Sequence, residues 1–269
     1  MFDYPPQEPI SEFARPYHEK LIAIADSLSP PVFAFGENAY QKLAVFESGH
    51  SNADALIMWH GGGWTNGYRQ WMYFMAPALN AIGVTLICAG YRLAPQHYYP
   101  ACFDDCAAAV AWVHNNAVDI GIARDRIFLS GHSAGGHLAA LLGVRSDWQE
   151  QYGLPTGVVR GCLPISGTYL FGENSGLSMR PRFIGDTDDV AVSPIAQIKR
   201  TPPFLIAFGS EDFPHLITQS RDMAAALAQA GGDVECLELE NCDHLGASLA
   251  AGEADGVWIK HAAKWMDLY

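Results

Sequence analysis

Basic residues are scarce: 16 Lys and Arg stand against 29 Asp and Glu, giving a formal net charge of −13. No Lys/Arg cluster interrupts that balance, so the positive face that a nucleic-acid partner needs is missing. Cysteine pairs at metal or redox spacing are missing too. The six cysteines are Cys88, Cys102, Cys106, Cys162, Cys236 and Cys242, and none forms a Cys-x-x-Cys. Cys102 and Cys106 lie one helical turn apart, but no His/Cys pair follows them at finger spacing, so no metal site is expected. Several cysteines sit in apolar runs such as Leu86-Ile87-Cys88-Ala89 and read as reduced, buried small hydrophobes in a reducing compartment. No run approaches the roughly 18 apolar residues of a membrane span. The opening Met1-Phe2-Asp3-Tyr4-Pro5-Pro6 has neither the basic start nor the apolar centre of a secretory signal. The expectation is a cytoplasmic protein with no membrane contact. Internal repeats and low-complexity tracts are absent.

What is present is a chain able to bury a core. Apolar residues make up 49% and charged residues 17% of 269 positions, which fits one large domain. Short apolar runs recur at 53–59 (ADALIMW), 84–89 (VTLICA), 126–129 (RIFL), 158–165, 204–208 (FLIAF) and 234–239. Each is bounded by Gly, Pro, Asn or Asp, as strands buried on both faces of a parallel sheet are. Between them lie helical patterns at 101–117, 136–144, 215–230 and 254–268. Strand and helix in alternation predict an α/β fold, a mostly parallel sheet with helices on both faces. Residues 1–30, broken by Pro5, Pro6, Pro9 and Pro16, are expected to wrap the surface. Residues 170–200 are rich in Gly, Asp, Ser and Pro, and so long a connection is expected to cover the substrate as a small lid.

The chemistry gathers around Gly131-His132-Ser133-Ala134-Gly135. A G-x-S-x-G between a strand and an Ala/Leu helix is a sharp turn that lifts the serine hydroxyl out of the sheet. The helix that follows aims its N-terminus at the site and favours developing negative charge. An alkyl hydroxyl needs a base to attack, and in such folds the chain order is serine, acid, histidine. That order leaves His137, His215, His244 and His261. His137 sits on the helix beside the serine, His261 within the last helix and His215 three residues past the acid. His244 follows the last strand in a loop and is expected to be the base. The acid is expected at Asp212 in Gly209-Ser210-Glu211-Asp212, with Glu211 as the alternative and Asp243 as a turn residue. His60-Gly61-Gly62-Gly63-Trp64 follows the run 53–59. Its glycines let the backbone approach a reacting carbonyl, so the N–H groups of Gly62, Gly63 and Ala134 are expected to form the oxyanion hole, with His60 structural. Trp64, Tyr68, Trp71 and Tyr73 are candidates for an aromatic pocket wall, Trp64 and Tyr68 foremost. No phosphate loop is present, because neither a Lys-Ser/Thr ending nor a G-x-G-x-x-G occurs there.

His60-Gly61-Gly62-Gly63-Trp64, Tyr91-Arg92-Leu93-Ala94-Pro95 and Gly131-His132-Ser133-Ala134-Gly135-Gly136 together resemble the hormone-sensitive-lipase-like esterases. The phrase GHSAGGHLA from Gly131 to Ala139, with the compact length, resembles the kynurenine formamidase branch of the same superfamily equally well. The resemblance implies an α/β-hydrolase fold and a Ser133–His244–Asp212 triad. It also implies an oxyanion hole at Gly62, Gly63 and Ala134, and chemistry without cofactor or metal. The implied substrate is a small-molecule carboxylic ester, with an arylformamide or related amide as the alternative. A non-catalytic binder is the remote one, since binders resembling this family have lost the triad histidine. Nothing in the sequence marks an interface between copies, so a homodimer stays open.

Overall fold

Apolar runs that do not alternate must be covered on both sides, and the chain covers them. In the computed structural model, which describes residues 4–173, 175–177 and 181–269, eight strands form one sheet. They are β1 Val32–Ala34, β2 Lys42–Phe46, β3 Ala53–Trp59, β4 Val84–Ala89, β5 Ile122–His132, β6 Gly161–Ile165, β7 Phe204–Gly209 and β8 Val234–Leu239. Their order is β1-β2-β4-β3-β5-β6-β7-β8. Strands β3 to β8 pair in parallel, whereas β2 runs antiparallel to β4, and β1 to β2. Every residue of β4, β6 and β7 is buried.

The helices are α1 Arg15–Asp26, α2 Ala76–Ala81, α3 Ala101–Asn115, α4 Ala134–Val144, α5 Asp147–Gln151, α6 Asp189–Val192, α7 Pro214–Gln229, α8 His244–Ala250 and α9 Val257–Leu268. They split the core in two. Phe103 and Val110 of α3, Leu138 and Leu141 of α4, and Met223 and Leu227 of α7 pack one face of the sheet. Tyr17 and Leu21 of α1, Leu79 of α2, and Trp258 and Trp265 of α9 pack the other. This is the expected α/β-hydrolase architecture. No helix among the described residues is long and apolar enough to cross a membrane.

Several expectations change. Residues 1–30 do more than wrap the surface, because Arg15–Asp26 is a helix with proline in its first turn. Proline suits that position, where its missing N–H has no intrahelical partner to lose. Tyr17, Leu21 and Ala25, every fourth residue, are its buried stripe. The edge strands β1 and β2 were not anticipated. The first is three residues long and exposed throughout, which leaves no burial pattern to read. Strand β5 starts at Ile122 rather than Arg126. Cys88, Cys102, Cys106 and Cys162 are buried as expected, but Cys236 is exposed and Cys242 half-buried. Within 170–200, Phe171, Phe183, Ile184 and Val192 join the core on the α3–α4 side.

Candidate active site

Strand β5 ends at His132 and helix α4 starts at Ala134, so Ser133 alone makes the turn. It does so at φ 55°, ψ −116°, a backbone region that non-glycine residues occupy only when their surroundings hold them there. Ser133 N–H donates to Ile165 at 2.9 Å, and Ser133 C=O accepts from His137 N–H at 3.0 Å. The first turn of α4 lies so close to the end of β3 that a Cβ on Gly135 would overlap the Trp59 carbonyl. Only glycine fits there.

His244 does not sit in a loop, as the sequence suggests. It is the first residue of α8, and Asp243 is the N-cap whose side chain accepts from Gly246 N–H at 2.7 Å. The ring is held between two partners. Nε2 is 2.9 Å from Ser133 Oγ, and Nδ1 is 2.9 Å from Asp212 Oδ1. Phe213 N–H donates to the same Oδ1 at 2.7 Å. Burial alone would raise the Asp212 carboxyl. The hydrogen bond and charge of His244 and the Phe213 N–H outweigh it and hold the carboxyl below its ordinary value.

The rival residues stand elsewhere. Glu211 is exposed. His137 is buried and bonds Val192 C=O at 2.7 Å. His215 stacks on Phe213, and His261 pairs with Glu235. His132, the residue before Ser133, bonds His244 C=O through Nε2 at 2.8 Å. Burial, and then the nearby His244, push it down to about 3. It is a neutral strut under the His244 backbone.

The glycine turn after β3 runs through positive φ at Gly62, Gly63 and Trp64, at 109°, 60° and 63°. Gly62 C=O accepts from Thr65 and Asn66 N–H at 3.2 and 3.1 Å, and a Cβ on Gly62 would collide with the Asn66 carbonyl. The N–H groups of Gly62, Gly63 and Ala134 donate to no other described residue. Gly61, Gly62, Gly63, Ser133 and His244 line one cavity of about 300 Å³. Ala134 is buried in the first turn of α4 and is not part of its lining.

The aromatic wall lies elsewhere than the sequence suggests. Trp64 and Tyr68 do not line this cavity, and Trp71 does. Trp64 points into the core, stacked on Phe183 with centroids 4.1 Å apart. Tyr68 packs against Tyr4, His18 and Trp71. Tyr73 packs edge-on to Phe46. None of the described residues of 170–200 lines the cavity either; its outer wall is Pro9, Ser11, Phe13, Ala14 and Tyr17 from the N-terminal segment. That segment is strapped down by Gln7, whose amide bonds both Gly67 C=O and Gly67 N–H. Tyr17 adds a hydroxyl contact with Ser248 of α8 at 2.8 Å. The missed wall residues had one legible signal, the four-residue period of Tyr17, Leu21 and Ala25.

Trp64 has a different duty. Its indole N–H donates to His137 Nδ1 at 3.1 Å, and His137 Nε2–H donates to Val192 C=O. Burial pushes His137 down to about 4, which keeps Nδ1 free to accept. The indole anchors a turn whose backbone is strained at that very residue. Trp64→Phe strands a buried acceptor and is expected to cost about 1–3 kcal/mol, read as a lower urea midpoint. An unchanged midpoint contradicts the anchor.

A family model described as the alpha/beta hydrolase fold matches residues 56–247. The chain belongs to the α/β-hydrolase family. Among its relatives in that family is esterase LipC of Mycobacterium tuberculosis, 34% identical over 225 residues that span 76% of this chain and 55% of LipC. Kynurenine formamidase of Salmo salar is 29% identical, across 78% of this chain and 72% of that protein. This α/β hydrolase spans about half the length of the first curated relatives it matches, 55% of LipC and 50% of esterase LipQ. Among solved structures, a truncated carbohydrate esterase from gut microbiota superposes with a TM-score of 0.76 at 19% identity, covering 88% of this chain and 95% of that one. That similarity concerns the fold.

Proposed function

We propose that the protein is a carboxylesterase that works by acyl transfer through Ser133, His244 and Asp212. The observation that carries the reading is the unbroken chain of two 2.9 Å hydrogen bonds that runs from Ser133 and His244 at the cavity wall to Asp212 behind them. His244 Nε2 takes the Ser133 proton as Oγ attacks the ester carbonyl. Asp212 fixes the tautomer with hydrogen on Nδ1 and stabilises the imidazolium. The free N–H groups of Gly62, Gly63 and Ala134 meet the oxyanion. His244 then protonates the departing oxygen, and water releases the acyl group by the same steps in reverse.

A cavity of about 300 Å³ suits a short acyl chain. The decisive panel is p-nitrophenyl acetate, p-nitrophenyl octanoate and N-formylkynurenine, with a fluorophosphonate probe and mass mapping of the modified residue. The expected result is turnover of the acetate well above the octanoate, with probe mass on Ser133. A protein that turns over none of the three and leaves Ser133 unmodified is not this hydrolase. The amidase alternative, an arylformamidase, draws on the similarity to kynurenine formamidase, which extends over 72% of that protein. A much higher kcat/KM for N-formylkynurenine would select it.

A further inference from the structure

Two phenylalanines expose their rings at the cavity that holds Ser133. Phe13 is 53% exposed and Phe213 is 44% exposed, and both line that cavity beside Ser133 and His244. Apolar rings left open to water at a concave site are characteristic of a ligand surface. The two rings come from distant parts of the chain, one from the segment before α1 and one from the residue after Asp212. Yet their centroids lie 6.1 Å apart with planes at 52°, so they open as a shallow V.

Phe213 is held firmly. Its N–H donates to Asp212 Oδ1 at 2.7 Å. Its ring lies nearly parallel to His215, at 5.9 Å and 15°, and 5.0 Å from the His244 ring. That last contact fixes which part of an ester the V receives. The group that leaves takes its proton from His244 Nε2 and so lies on the His244 side of Ser133. Phe213 is on that side. That leaves the acyl group to the other side, where the glycine turn, Thr65, Asn66 and Trp71 also line the cavity.

We propose that Phe13 and Phe213 form an aromatic clamp for the leaving group, so that the preferred substrates are short-chain acyl esters of phenols and other aryl alcohols. The inference rests on the hydrolase reading above. An aryl ring makes offset and edge contacts with both phenylalanines, which an alkyl group lacks. The step stays balanced. Ser133 Oγ bonds the acyl carbon, the acyl carbon–aryl oxygen bond breaks, and His244 passes the serine proton to the aryl oxide. Water then converts the acyl-enzyme to the carboxylic acid, so ester and water yield acid and phenol.

The test keeps the acyl group constant. Phenyl acetate and ethyl acetate are compared in the wild type, Phe13→Leu, Phe213→Leu and the double variant. The ratio of variant to wild type cancels the intrinsic reactivity of each ester. Each substitution is expected to lower kcat/KM for phenyl acetate about two- to tenfold more than for ethyl acetate, and the double variant about tenfold more or beyond. Phenol is expected to inhibit the wild type competitively at lower concentration than cyclohexanol, a difference that the double variant loses. Equal losses on both esters, or no loss on phenyl acetate, overturn the clamp. Phe13→Leu keeps the test sharp if Phe213→Leu disturbs Asp212, because Phe13 makes no hydrogen bond to the triad. Hydrolysis that needs Ser133 but shows no aryl preference removes the clamp and spares the hydrolase reading. A wild type inactive on both esters, or as active with Ser133→Ala, removes both.

Discussion

Ser133→Ala is expected to lower kcat on p-nitrophenyl acetate by on the order of 10⁵-fold or more. The substitution removes the hydroxyl that His244 Nε2 bonds, at 2.9 Å, and leaves the proposed oxyanion donors alone to act on water. The fold is expected to survive, because alanine meets the same φ of 55° with no larger side chain. Asp212→Asn is expected to lose about 10⁴-fold, since an amide no longer selects the productive imidazole tautomer. The double variant is expected to match Ser133→Ala, as groups that act as one unit do not add. Glu211→Gln is the control. Its side chain is exposed, and kcat is expected to stay within about twofold. Steady-state kinetics on purified variants reads all four. Retention of more than about 1% of turnover in Ser133→Ala contradicts the mechanism, and loss in Glu211→Gln moves the acid by one residue.

Acid is expected to destabilise the protein at pH values above those at which most of its carboxylates titrate. His60 and His137 are fully buried, and burial pushes each from 6.5 down to about 4. Their folded pKa values are depressed, so between about 4 and 6.5 the unfolded chain binds protons that the folded chain refuses. Stability therefore rises with pH across that window and is lost as pH falls through it. At pH 5 each histidine contributes about 2 kcal/mol less than at pH 8, about 4 kcal/mol for the pair. His132, lowered to about 3, acts in the same direction, and so does Asp212 at still lower pH. Against an ordinary stability of roughly 5–15 kcal/mol, that is a large share. Urea melts at pH 8 and pH 5 are expected to show the difference as a shift in midpoint. A midpoint that does not fall on acidification contradicts the buried, neutral state of these rings.

The parts of the fold legible in the sequence are those where one physical demand acts alone. Runs such as ADALIMW and FLIAF are buried on both faces and say so without help from the rest of the chain. Ser133 is legible because a strand-to-helix turn in so little space needs Gly131 and Gly135 around it. The choice of Asp212 over Glu211 was a matter of one position, and the structure places Asp212 in the bond to His244. What was hidden depends on distant partners. Trp64 reads as a pocket aromatic until His137 and Phe183 arrive to take it inward. Phe13 and Tyr17 read as surface residues among prolines until α8 and the glycine turn come to meet them. The anchoring of the described residues of 170–200 is hidden for the same reason. Composition marked a long irregular stretch, but not that Phe171 and Phe183 tie it to the core.

The contact between Tyr17 and Ser248 joins residues 231 positions apart, and it bears on the order in which the chain assembles. Segments that emerge early from the ribosome generally fold early, but the segment that walls the cavity has part of its seat on α8. Helix α8 also carries His244. A nascent chain that has not yet reached α8 thus has neither His244 nor the last anchor of the wall. Such long-range pairings are slow to form, so α1, synthesised long before α8, is expected to dock late. The Ser133–His244–Asp212 hydrogen-bonded chain and the wall around it are then completed in one late event, and unfinished chains carry Ser133 without its partner.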